Sequence, residues 1–152
     1  MAGKSLLCLS KDLERAVELY QKAADQGHPG AQRSLGWPYL NGLGVSKDVV
    51  RAAELFQKAA DQGLAAAQGN LGYLYASGQG VEKNYGQARE LLQKAADQGF
   101  AHAQYNLGCM YEAGNGVSKN RSKALELYRK AADQGDPDAQ KALQMRHPFK
   151  SQ

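Results

Sequence analysis

The string Ala-Ala-Asp-Gln-Gly begins at Ala23, Ala59, Ala95 and Ala131, spaced 36 residues apart each time. A period of that length, free of insertions, constrains the fold more than any other feature. It marks a stack of small supersecondary units, each unable to bury its apolar face alone. The register gives full repeats at 23–58, 59–94 and 95–130, a leading half repeat at 9–22 and a trailing half at 131–146, all within one domain over 1–152.

Two apolar stripes of helical spacing run through each unit. The first carries Ala67, Leu71, Leu74 and Tyr75, matched by Ala103, Leu107, Met110 and Tyr111. The second carries Ala52, Leu55, Phe56 and Ala59, matched by Ala16, Leu19, Tyr20 and Ala23, by Ala88, Leu91, Leu92 and Ala95, and by Ala124, Leu127, Tyr128 and Ala131. Asp12, Asp48, Asn84 and Asn120 stand where a side-chain oxygen can cap each second helix, and Gly27, Gly63, Gly99 and Gly135 where a left-handed residue ends it. Paired glycines followed by Val45, Val81 or Val117 join the helices, each valine tucking its loop onto the core. The spacing predicts helices over 12–26, 29–41, 48–62, 65–77, 84–98, 101–113, 120–134 and 137–146. Pro38 falls inside the second of these and predicts a kink or early break there. The column Gln32, Gln68, Gln104 and Gln140 reads as a structural hydrogen bond to neighbouring backbone.

Composition sets bounds on function. The formal charge of +4 is too weak and too dispersed to point to nucleic acid, with its excess leaning on Lys141, Arg146 and Lys150. On the second helices, Glu18–Lys22, Glu54–Lys58, Glu90–Lys94 and Glu126–Lys130 are spaced as i,i+4 pairs on a solvated face. Two distant cysteines, Cys8 and Cys109, form no disulfide framework and have no neighbours at metal-ligand spacing. No signal-peptide core or membrane span is visible, which fits a cytoplasmic chain, or a periplasmic or secreted one whose signal was removed. No cofactor or metal motif is present: Gly3-Lys4-Ser5 lacks the upstream glycine of a phosphate loop. His102 and Cys109 share a helix two turns apart, about 10 Å of rise and too far for direct proton transfer. His28 and His147 fall near opposite ends.

The run Leu71-Gly72, Tyr75, Gly78, Gly80-Val81, Ala88, Lys94-Ala95-Ala96 and Gly99, repeated from Leu107 to Gly135, resembles the Sel1-like repeat, a longer relative of the tetratricopeptide repeat. The resemblance implies an all-α, right-handed α/α superhelix of about eight helices, with first helices lining a concave face. It also implies an adaptor or scaffold, and with no converging catalytic constellation in the sequence the chain is expected to bind protein or peptide and not to be an enzyme. The cysteine-rich branch of that family staples each repeat with paired cysteines. That pairing is absent here, so a β-lactam-linked hydrolase is the weaker alternative, beside a structural spacer in a longer array. If the tetratricopeptide pattern transfers, the groove residues are Arg33, Trp37, Gly69, Asn70, Tyr73, His102, Tyr105, Asn106, Cys109 and Glu112. Trp37, Tyr73 and Tyr105 are the anchors there, and Asn70 and Asn106 can satisfy the backbone of a bound segment. Leu6, Leu7, Cys8 and Leu9 are unaccompanied by a first helix, which suggests self-association through the N-terminal end.

Overall fold

Apolar periodicity becomes helix in every unit of the described residues. The computed structural model describes residues 6–146. It forms α1 (Leu6–Asp25), α2 (Pro29–Asn41), α3 (Val49–Asp61), α4 (Ala65–Ser77), α5 (Tyr85–Asp97), α6 (Ala101–Ala113), α7 (Arg121–Asp133) and α8 (Pro137–Arg146). Gly3, Lys4, Ser5, His147 and Lys150, weighed above, lie outside the described residues. Among the described residues there is no strand, and no helix is long and apolar enough to cross a membrane.

Packing runs along the stack, each helix against its sequence neighbours. The core is accordingly a row of clusters. One joins Ala24, Ala31, Leu35 and Leu55; the next centres on Phe56, Leu71 and Leu74; the last on Leu92, Leu107 and Leu127. Gly72 and Gly108 let the paired helices approach, since a Cβ there would lie 2.8 Å from Leu92 and Tyr128 respectively. Val81 and Val117 pack against the core as expected, and Val45 is half-buried.

The caps explain the constant helix length. Oδ1 of Asp48, Asn84 and Asn120 accepts from the amides of Arg51, Gln87 and Lys123 at 2.9, 3.0 and 3.0 Å. The backbone amides of Asp48, Asn84 and Asn120 themselves donate to the carbonyls of Tyr39, Tyr75 and Tyr111, which closes each interhelical loop. Asp12 is the exception. It lies inside α1, which starts at Leu6, because no glycine or proline interrupts the chain between Leu6 and Asp12.

Pro38 does not break its helix early. The helix α2 reaches Asn41 and has 13 residues, as α4 and α6 do. The proline falls in the last turn, and its carbonyl accepts from the amides of Gly42 and Leu43 that end the helix. Only one internal hydrogen bond is forfeited, beside an intact C-terminal cap.

The glutamine column does bond to backbone: Nε2 of Gln68, Gln104 and Gln140 donates to the carbonyls of Ala60, Ala96 and Ala132. It also receives a second set of partners. Nε2 of Gln62, Gln98 and Gln134 donates to Oε1 of Gln32, Gln68 and Gln104, each at 2.8 Å. The glutamine of three of the four repeated Ala-Ala-Asp-Gln-Gly strings is therefore half of an amide ladder. The charge column behaves otherwise: among the described residues only Glu126–Lys130 closes, at 2.8 Å, while Glu54 pairs with Arg51. Exposed pairs gain too little to hold two long side chains in one geometry.

Candidate functional site

Once the Ala/Leu stripes are buried, the remaining faces of α2, α4 and α6 share one concavity. Arg33 and Trp37 from α2, Gly69, Asn70 and Tyr73 from α4, and His102, Tyr105 and Asn106 from α6 line a groove of about 660 Å³. Leu40, Asn41, Lys47, Gln79, Phe100 and Asp138 complete its walls. Arg33 spans two repeats, its Nε donating to Asn70 Oδ1 at 2.9 Å. Burial lowers its pKa from the usual arginine value, but a guanidinium stays cationic at neutral pH.

The aromatic anchors divide by environment. Trp37 stands edge-on to Phe56 at 5.7 Å between ring centroids and keeps 38% of its surface exposed. Tyr73 is 48% exposed. Tyr105 is more committed to its own repeat, tilted against Tyr128 at 5.6 Å and His102 at 6.0 Å. Burial foremost, then its hydrogen bond with Cys109, pushes the Tyr105 hydroxyl up to about 12. It is a neutral donor at physiological pH.

Cys109 and Glu112 fall in a neighbouring pocket of about 520 Å³, shared with Tyr105, Tyr128, Asp138 and Arg146. Glu112 is occupied there. It accepts from Tyr128 Oη at 2.8 Å, and from Nε (3.0 Å) and Nη2 of Arg146, whose guanidinium lies over the Tyr128 ring. Burial alone would raise the Glu112 carboxyl, but the hydrogen bonds from Arg146 and Tyr128 hold it below the usual glutamate range. Burial, followed by hydrogen bonds to Cys109 and Glu112, drives the Tyr128 pKa strongly upward. This pocket ties α8 onto α6 and α7.

His102 is paired in a way its sequence position did not suggest. Its Nδ1 lies 3.3 Å from Asp136 Oδ2, while Asp136 Oδ1 accepts from the amide of Ala139 at the start of α8. His102, Asp136 and Asp138 are the only described residues grouped as metal ligands are, with donor atoms within 4.8 Å of one another. Both Asp136 oxygens already have partners, so the grouping reads first as a helix cap. Cys8 on α1 and Cys109 on α6 form no disulfide.

Sequence reasoning missed Phe100, Asp136 and Asp138. Phe100 and Asp136 hold the position just before a first helix, occupied by His28 and Leu64 in the other units. The variation of that column was the available signal.

Comparison with known proteins finds the same 36-residue spacing, in units that begin at 29, 65 and 101, the first helix of each pair. The family described as Sel1 repeat matches residues 3–28, 29–64, 65–100 and 101–136. A Sel1 repeat protein from Oxalobacter formigenes shares 42% identity over 86% of this chain and 53% of its own, with a TM-score of 0.78. The c5321 protein, a protective antigen of uropathogenic Escherichia coli displaying the SLR fold, shares 38% identity over 89% of this chain and 29% of its own, with a TM-score of 0.78. Helicobacter pylori cysteine rich protein B shares 26% identity over 86% of this chain and 94% of its own, with a TM-score of 0.64. This chain therefore spans about half the length of the first of these structures and under a third of the second. No curated protein matches it.

Proposed function

This chain belongs to the Sel1 repeat family, whose members are generally protein-interaction modules, and from that premise we propose that it is a non-catalytic adaptor or scaffold that captures a segment of a partner protein on its concave face. The observation that carries the reading is the groove itself, which draws side chains from α2, α4, α6 and α8 and leaves Trp37 and Tyr73 partly exposed. Such aromatics supply contact area at low entropic cost and dominate many interfaces. Tyr105, braced by Tyr128, is the third anchor, and Asn70, Asn106 and His102 supply the polar contacts.

Affinity capture with the purified chain, followed by mass spectrometry, tests the reading. Trp37→Ala with Tyr73→Ala should remove the captured partner while thermal unfolding stays within a few degrees of the parent. Capture that survives both substitutions sinks the groove. Incubation with a chromogenic β-lactam should give no turnover, because the paired cysteines of the cysteine-rich branch do not occur in this sequence.

A second reading has its own observation. On α1, Leu6 is 86% and Leu19 58% exposed, whereas Leu55, the counterpart of Leu19 one repeat on, is 3% exposed. A second copy of the chain, or another repeat, would cover these apolar side chains, which lie on different sides of α1. Self-association or a place in a longer array is thus compatible with adaptor function.

A further inference from the structure

The groove is unevenly equipped, and the irregularity follows the repeat register. One period carries Arg33 to Gly69, and Ser34 to Asn70 and Asn106 over two. Arg33 gives its Nε to Asn70. Gly69, in the corresponding place, has no side chain to give Asn106, and the Phe100 ring stands where one would begin, 2.8 Å from the position of a Cβ. Asn106 Nδ2, the donor end of its amide, is buried with no hydrogen-bond partner among the described residues. A buried amide left without an acceptor carries a desolvation cost that a bound carbonyl would recover. Asn106 lines the groove, so a ligand there can supply that acceptor.

Charge is also polarised along the groove. Arg33 and Lys47 line it at the α2 side, and Asp138 lines it at the α8 side, next to the Asp136–His102 pair. Lys141 and Arg146 face the neighbouring pocket, where Arg146 is bound to Glu112.

Resting on the adaptor reading, we propose that the groove takes an extended peptide segment carrying an acidic side chain towards Arg33 and Lys47 and a basic side chain towards Asp138. A main-chain carbonyl between them is received by Asn106 Nδ2. First helices spaced about 8–10 Å apart put three steps between α2 and α8, roughly 25 Å, which an extended chain covers in about eight residues. A peptide with the opposite charge order would set like charges against each other at both ends.

An array of blocked octapeptides, with one Glu and one Lys walked through every position of a constant Ser/Leu/Tyr background, tests this directly. The strongest binders should hold the two charges near opposite ends in a single order and outbind their order-reversed partners by about tenfold, read by fluorescence polarisation in solution. Arg33→Glu should invert the preference at the acidic position. Asn106→Leu should weaken every binder irrespective of charge placement while leaving the unfolding temperature equal or higher, since it removes an unpartnered amide. Equal binding of both charge orders, no inversion in Arg33→Glu, or no octapeptide bound at all would overturn the proposal. The adaptor reading would still stand or fall on partner capture by Trp37 and Tyr73.

Discussion

Replacing Phe56 by Ala tests how the solenoid is held and how its groove is supported. The ring is fully buried, lies against Gly36, and carries Trp37 edge-on at 5.7 Å. Removing it deletes a buried aromatic and leaves a cavity that Gly36 cannot fill. The expected loss is about 3–5 kcal/mol, a large share of the 5–15 kcal/mol that stabilises a domain. For a chain of this size that corresponds to roughly 6–20 °C in unfolding temperature. Urea unfolding followed by far-ultraviolet circular dichroism measures it. Because packing runs mainly between sequence neighbours, hydrogen exchange should accelerate most in α2–α4 and least in α7 and α8. Trp37 also loses its platform, so partner affinity should fall even where the fold is fully populated. A loss below about 1 kcal/mol, or equal acceleration of exchange in every helix, would refute the reasoning.

Three further predictions follow from local geometry. Gly44 and Gly27 both have positive φ, but a Cβ on Gly44 would meet the backbone of Leu13 and Glu14 under 3 Å away, while Gly27 faces open space. Gly27→Ala should therefore cost about 1–2 kcal/mol and Gly44→Ala clearly more, compared by urea unfolding. Glu112 titrates below its ordinary value, so its tie to Arg146 contributes fully above the unfolded glutamate pKa of about 4.3 and is lost as pH falls through the lower native value. Exchange protection in α8 should drop across that acidic window in the parent, whereas in Glu112→Gln it should be weaker at neutral pH and insensitive to acid there. Multi-angle light scattering should show a mass above one chain at high concentration, reduced by Leu6→Ser with Leu19→Ser; a single-chain mass at all concentrations would remove self-association through α1.

Much of this architecture was legible from the period alone, because the signals agreed at every level. The caps at Asp48, Asn84 and Asn120, the glycines ending each second helix and the apolar stripes all fall in one 36-residue register. The errors came where register is broken or context decides. Asp12 matches the cap column, yet a cap needs the chain to arrive from a loop, and α1 extends back to Leu6. Pro38 has the chemistry of a helix breaker, but its position within the last turn reduces the damage. The groove was legible as a set of faces, and Arg33 through Asn106 do line one concavity. The occupation of Glu112 by Arg146 was not legible, because it depends on how α8 folds back over Tyr128. The unpartnered Asn106 Nδ2 likewise depends on what packs around it, which the repeat pattern does not encode.

Site-specific photo-crosslinking addresses the central claim most directly. A benzophenone amino acid placed at Tyr73 faces the groove, and the same group at Glu90 sits on the exposed side of α5. With the captured partner present, the account predicts a covalent adduct from position 73 and little from position 90. Adducts of equal yield at both sites, or at position 90 alone, would contradict binding on the concave face.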